Sequence, residues 1–148
     1  MSKKSIILLF ILILSPALIY FLWPTDESRI KKLIKEGAKA VEKIDVETVM
    51  SKVSFNYSDE YGFNYIILNK ILEEQLKKMS DITVEYENLK IEIKDHSASA
   101  ELDVRVIATI GNDTGYIIGD IKNPEHIKFT LERERTTWLV IKTEGLEF

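Results

Sequence analysis

The sequence predicts an α+β fold, a curved antiparallel sheet wrapped around a long helix, preceded by one transmembrane helix. Three observations lead there. Residues Ile6 to Trp23 form an 18-residue run that carries no charge and is broken only by Ser15 and Pro16. From Glu27 to Ile44, and again from Leu68 to Met79, apolar residues recur at spacings of three and four, the period of a helix with one buried face. From Ile82 onward the period changes to two, which marks strands. Helices grouped first and strands grouped last belong to an α+β arrangement, not to alternating parallel-sheet units.

Composition narrows the function classes. A chain of 148 residues fits one ordinary domain. With 45% hydrophobic and 30% charged residues it is neither a disordered chain nor a polytopic membrane protein. The absence of Cys excludes a disulfide scaffold, a thiolate metal site and a Cys nucleophile. The formal net charge is −4, and it becomes more negative once Lys3 and Lys4 are set apart from the rest. No basic stripe is present to neutralise phosphates, so nucleic acid is not an expected partner.

The N-terminal run would span about 27 Å as a helix, close to the hydrocarbon thickness of a bilayer. Tyr20 and Trp23 stand at its far end, where amphipathic aromatics favour the interface. The exit, Tyr20-Phe21-Leu22-Trp23-Pro24, offers no small-x-small cleavage site, which favours an uncleaved signal-anchor over a signal peptide. Lys3 and Lys4 precede the run. A short basic start of this kind is retained in the cytoplasm, so a single-pass protein of the cytoplasmic membrane is expected, with its C-terminal domain on the extracytoplasmic side. Arg29, Lys31, Lys32, Lys35 and Lys39 beyond the run count against that orientation.

Pro24 ends the first helix, and Thr25 or Asp26 is placed to cap the next. That leaves a linker of two or three residues, with a reach of roughly 10 Å. Ile30, Leu33, Ile34, Ala38, Val41 and Ile44 then form one helical stripe. Asp45 caps a short helix over Val46–Lys52, and Val53, Phe55 and Tyr57 alternate as a strand. Ser58–Gly62 reads as a turn, and Asn64 as the cap of a helix running to Met79. In the first long strand, Ile82, Val84 and Tyr86 share a face with Leu89, Ile91 and Ile93, but in opposite phase. A bulge near Glu87-Asn88 is therefore expected. After a turn at Asp95-His96, alternate residues from Ala98 to Ala108 line one face of a partner strand. Gly111–Gly115 reads as a loop and Tyr116–Ile118 as a short edge strand. Ile127, Phe129 and Leu131 alternate in the next strand. Trp138–Ile141, apolar on both faces, forms a last strand that is central or covered.

This order resembles the nuclear transport factor 2-like superfamily, the cone-shaped, cystatin-like roll shared with SnoaL-like proteins and ketosteroid isomerases. The resemblance rests on three stretches: the first amphipathic helix ending at Asp45–Met50, the segment Phe55–Gly62, and the hairpin Phe129–Arg135 into Trp138–Ile141. The resemblance covers a domain at 26–148, which follows the short basic tail at residues 1–5 and the signal-anchor at 6–23. Asp59 matches the stretch where ketosteroid isomerases place their catalytic carboxylate. An enzyme of that type would use Asp59 to take a proton alpha to the carbonyl of an apolar compound. The alternative is a turn residue bonding its own backbone. Tyr57, Tyr61 and Tyr65 cluster near the same mouth and are candidate ligand-binding residues, or else rim and core aromatics. The first helix offers no Tyr to act as the phenolic oxyanion donor.

Other chemistry is sparse. His96 and His126 lack metal-ligand spacing, so no metal is expected, and no cofactor fingerprint is present. Asp103, Glu101 and Arg105 share a polar face of the long strand as a charge ladder. The expected function is therefore a membrane-tethered module of non-enzymatic type, held in lipid through residues 6–23. It would bind an envelope protein partner or a small apolar ligand. The isomerase-like enzyme with Asp59 as base is the second reading.

Overall fold

The structure, a computed structural model, describes residues 2–146. Met1 of the expected tail and residues 147–148 of the expected domain lie outside the described residues. Four helices come first: α1 (Lys3–Leu22), α2 (Asp26–Glu42), α3 (Val46–Ser51) and α4 (Tyr65–Leu76). Five strands follow: β1 (Met79–Lys94), β2 (Ser97–Ile110), β3 (Asp113–Ile118), β4 (Glu125–Glu134) and β5 (Thr137–Glu144).

Helix α1 buries no residue against the rest of the chain, and it is long and apolar enough to cross a membrane. Trp23, Pro24 and Thr25 separate it from α2. The Thr25 hydroxyl accepts the backbone N–H of Ser28 at 3.2 Å and so starts α2 at Asp26. Asp26 does more than begin the helix. Its carboxylate accepts the Trp138 indole N–H at 3.0 Å and an Arg133 guanidinium N–H at 3.1 Å. Arg133 in turn lies over the Trp138 ring, 5.7 Å from its centre. The first residue of α2 is thus fixed to the β4–β5 hairpin. Ile30 and Ile34 then bury the helix against the sheet.

The sheet is antiparallel in the order β1-β2-β4-β5. Strand β2 pairs with β1 along one side. On its other side, Ser97–Val104 pairs with β4 and Val106–Ile110 pairs with β3. The inward face of β2, from Ala98 to Ala108, is buried at every second residue, as the alternation requires. The bulge expected at Glu87-Asn88 is present. Glu87 pairs with Asp103 and Lys90 with Glu101, so Asn88 and Leu89 together oppose Leu102. A second bulge at Asp81-Ile82, opposite Ala108, was not expected. Both carry a left-handed residue, Asp81 (φ 48°) and Asn88 (φ 56°), of the types that tolerate it best. The two bulges coil β1 so that α2 and α4 fit inside the curve.

Three expectations are corrected. Val53–Tyr57 is not a strand. Ser54 is fully buried, its hydroxyl donates to Glu134 at 2.6 Å, and its carbonyl accepts the Tyr57 N–H, which folds the chain into a turn with Phe55 82% exposed. The helix capped by Asn64 ends at Leu76, and Met79 begins β1. The loop at Gly111–Gly115 is a two-residue turn, with Asp113 already in β3. Strand β5, expected to be central or covered, is covered. It is the last strand of the order, covered along its outer edge by the chain after α3. The amides of Ser54 and Ser58 donate to the carbonyls of Val140 and Ile141, and the Val140 amide donates to Lys52.

The outward face of the sheet is the charge ladder. Asp103 accepts from Asn88 at 2.8 Å and bonds His126 Nδ1 at 2.9 Å, while Arg105 pairs with Glu87 at 3.2 Å. The bonds from Asn88 and His126 hold the Asp103 carboxyl below the usual range. The Asp103 carboxylate raises the His126 imidazole above its ordinary 6.5. A raised folded-state value means this contact stabilises fully below pH 6.5 and is lost as pH climbs through the raised value. NMR titration is expected to find His126 above 6.5, and Asp103→Asn to bring it back toward that value.

Candidate functional site

The concave side of the sheet does not close on the helices. Between them lies a cavity of about 600 Å³, within the range of small-molecule sites. Helix α2 contributes Leu33, Ile34, Gly37, Ala38 and Val41, and α4 contributes Leu68, Ile71, Leu72 and Leu76. The sheet supplies its inward aliphatics, among them Val84, Leu102, Val104 and Leu131. Gly37 leaves a gap in the wall: a Cβ built there meets no atom within 4 Å. Polar groups are few. Tyr57, Lys52, Gln75, Tyr86 and Thr143 are the polar residues of the lining among the described residues.

Tyr57 is almost fully buried, and its hydroxyl donates to Asp59 Oδ2 at 3.0 Å. Burial pushes the Tyr57 phenol up to about 12. Donors on Thr143 pull it down, and the neighbouring Asp59 adds to the rise. The phenol therefore keeps its proton throughout the physiological range. Asp59 is 9% exposed and lies behind Tyr57, outside the cavity lining. Its Oδ1 accepts the backbone N–H of Tyr61 at 3.0 Å and of Phe63 at 2.9 Å, which closes the turn that leads into α4.

Of the candidate residues, the fold thus brings Tyr57 and Asp59 together and puts only Tyr57 on the cavity wall. Tyr61 is 48% exposed and is not part of the lining. Tyr65 lies outside the lining as well, its ring 4.6 Å from that of Phe55 at the surface. The reading from sequence missed Lys52, Thr143 and Gly37. Lys52 carried a weak signal, a lysine between the apolar residues Val49, Met50 and Val53. Thr143 and Gly37 carried none, because their place on the wall depends on the tertiary fold.

A carbonyl substrate would need a proton donor and an accessible base. The single Tyr57 proton is given to Asp59, and Asp59 has no face on the cavity. What the geometry offers is a largely apolar chamber whose polar lining is Tyr57, Lys52, Gln75, Tyr86 and Thr143. The chamber also depends on the C-terminal segment, since Leu146 lines it. Gly145 (φ +88°) brings Leu146 there by crossing β4 so closely that a Cβ would stand 2.1 Å from the His126 carbonyl oxygen. Gly145→Ala is expected to cost about 1–3 kcal/mol in urea unfolding and to displace Leu146.

The sequence matches no protein-family model and no curated protein. Solved structures do resemble it. A protein of Novosphingobium aromaticivorans DSM 12444 that carries the provisional name scytalone dehydratase is 11% identical, with a TM-score of 0.69 over 83% of this chain and 89% of that one. A nuclear transport factor 2-like protein with a cystatin-like fold, from Novosphingobium aromaticivorans, is 13% identical, with a TM-score of 0.62 over 88% and 84%. A nuclear transport factor 2-like protein of unknown function from Pseudomonas putida KT2440 is 17% identical, with a TM-score of 0.62 over 79% and 82%. At these identities the likeness speaks of architecture alone. The α+β body beyond α1 has the cystatin-like fold of nuclear transport factor 2-like proteins.

Proposed function

We propose that the chain is a membrane-tethered binding module of non-enzymatic type that holds a small apolar ligand inside its cone, on the extracytoplasmic side of the cytoplasmic membrane. The observation that carries this is the cavity of about 600 Å³ with an almost wholly aliphatic wall. Apolar space of that size is costly to leave empty and strongly favours an apolar occupant. The short connection from α1 to α2 keeps the chamber near the bilayer, where apolar molecules concentrate. Sidedness rests on Lys3 and Lys4 before the apolar run.

Native mass spectrometry of the full-length protein, released gently from its membrane, tests the reading. A small-molecule adduct on the monomer is the expected result. A bare monomer bound to a second polypeptide would sink it in favour of an adaptor for an envelope protein. The isomerase-like reading has its own test. Asp59→Asn would have to abolish proton exchange alpha to the carbonyl of a cyclic ketone, and we expect no such exchange in the unsubstituted protein.

A further inference from the structure

We propose that the ligand is a carboxylic acid with an apolar body, the body in the aliphatic chamber and the carboxylate on Lys52. This rests on the ligand-binding reading above and specifies the ligand's head group. Lys52 is the one charged residue in the cavity lining among the described residues. Its side chain is 23% exposed, so the ammonium sits at the border between the chamber and the outside. The chain around it is fixed: the Lys52 carbonyl accepts the Val140 amide, and the Ser54 amide donates to the Val140 carbonyl. The Lys52 backbone is therefore anchored to the sheet and is not part of a free loop.

Lys52 gives one of its three donors to Glu36 Oε2, at 2.6 Å. Glu36 stands on α2 one residue before Gly37, outside the cavity lining. Its carboxyl is held below the usual range, chiefly by the hydrogen bond from Lys52. The pair already forms the contact that a ligand carboxylate would form, with a protein carboxylate in that place. Glu36 also lies 3.7 Å from Lys32, so it keeps a second cation when Lys52 turns to a ligand. The other polar residues of the wall, Tyr57, Gln75, Tyr86 and Thr143, carry no charge to favour a carboxylate. A head group is chosen by the one ammonium, and an ionised carboxylate is the head group that a partly buried ammonium selects over a neutral hydroxyl.

The test uses the full chain in phosphatidylcholine nanodiscs, with empty nanodiscs to subtract partition into lipid. Dodecanoic acid and 1-dodecanol, each labelled with carbon-13 at C1, are titrated and followed by NMR. The acid is expected to bind about tenfold more tightly than the alcohol. Lys52→Gln should cut acid affinity by about tenfold and leave the alcohol unchanged. Glu36→Gln removes the competing carboxylate, and it should tighten the acid several-fold without altering the alcohol. A Lys52 that only supported the fold would not show that gain. Equal binding of acid and alcohol, or a Lys52→Gln protein that keeps its preference for the acid, overturns the head-group assignment and leaves the ligand-binding reading standing. Failure of both compounds to bind overturns the two together.

Discussion

Gly37→Leu is expected to close the chamber and to make the protein more stable. Gly37 lies in the middle of α2, where a glycine costs about 1 kcal/mol relative to a good helix former. Its missing side chain faces the cavity, and a Cβ there touches nothing within 4 Å. A leucine enters that space without moving backbone, gains helix propensity and buries apolar surface. The melting temperature should rise by roughly 3–8 °C. Binding of dodecanoic acid should fall by at least about tenfold, and the adduct in native mass spectra should disappear. Loss of binding through unfolding would lower the melting temperature, so the two measurements separate occlusion from damage. A Gly37→Leu protein that melts higher and still binds the acid as before would show that the ligand site lies elsewhere.

Ile30→Ala is the most damaging single change expected in α2. Ile30 is fully buried, on the face that packs against the sheet, and it does not line the cavity. Truncation removes three carbons from a tightly packed place that the surrounding strands cannot refill. The cost should be about 2–5 kcal/mol, measured by urea unfolding with tryptophan fluorescence. Because the cavity wall and the Asp26 contacts both belong to α2, loosening it affects both. Ligand binding should weaken in step with stability, in contrast to the opposite signs expected for Gly37→Leu.

The architecture was legible in the sequence where the pattern was long. The stripe from Ile30 to Val41, the alternation from Ala98 to Ala108 and the phase change at Glu87-Asn88 each followed from local periodicity, and the structure has all three. Short patterns misled. Val53, Phe55 and Tyr57 alternate like a strand, yet the hydroxyl of Ser54 turns the chain through a contact with Glu134, eighty positions away. Nothing local announces such a partner. The strand before Leu102 hid a second bulge because Asp81 falls at a place where either phase leaves a polar residue outward.

The candidate site was less legible still. Tyr57 and Asp59 are two positions apart, and the sequence brought them to notice, but not that one lines the chamber and the other stands behind it. That division depends on a turn closed by the amides of Tyr61 and Phe63. Lys52 and Glu36 are sixteen positions apart on different helices or helix ends, and their meeting is a product of tertiary packing.

Two margins of the sheet, β5 and β1, are guarded against pairing with another chain. Proteins confined to a surface meet one another often, and an open strand edge would join such neighbours into ribbons. Strand β5 offers no such edge, since residues 52–58 already occupy its backbone groups. Strand β1 is guarded differently. Two bulges break its line, the Glu42 carboxylate takes the Val84 amide at 3.0 Å, and Glu85, Glu87, Lys90, Glu92 and Lys94 project into water. Edge-to-edge pairing through β1 or β5 is therefore disfavoured.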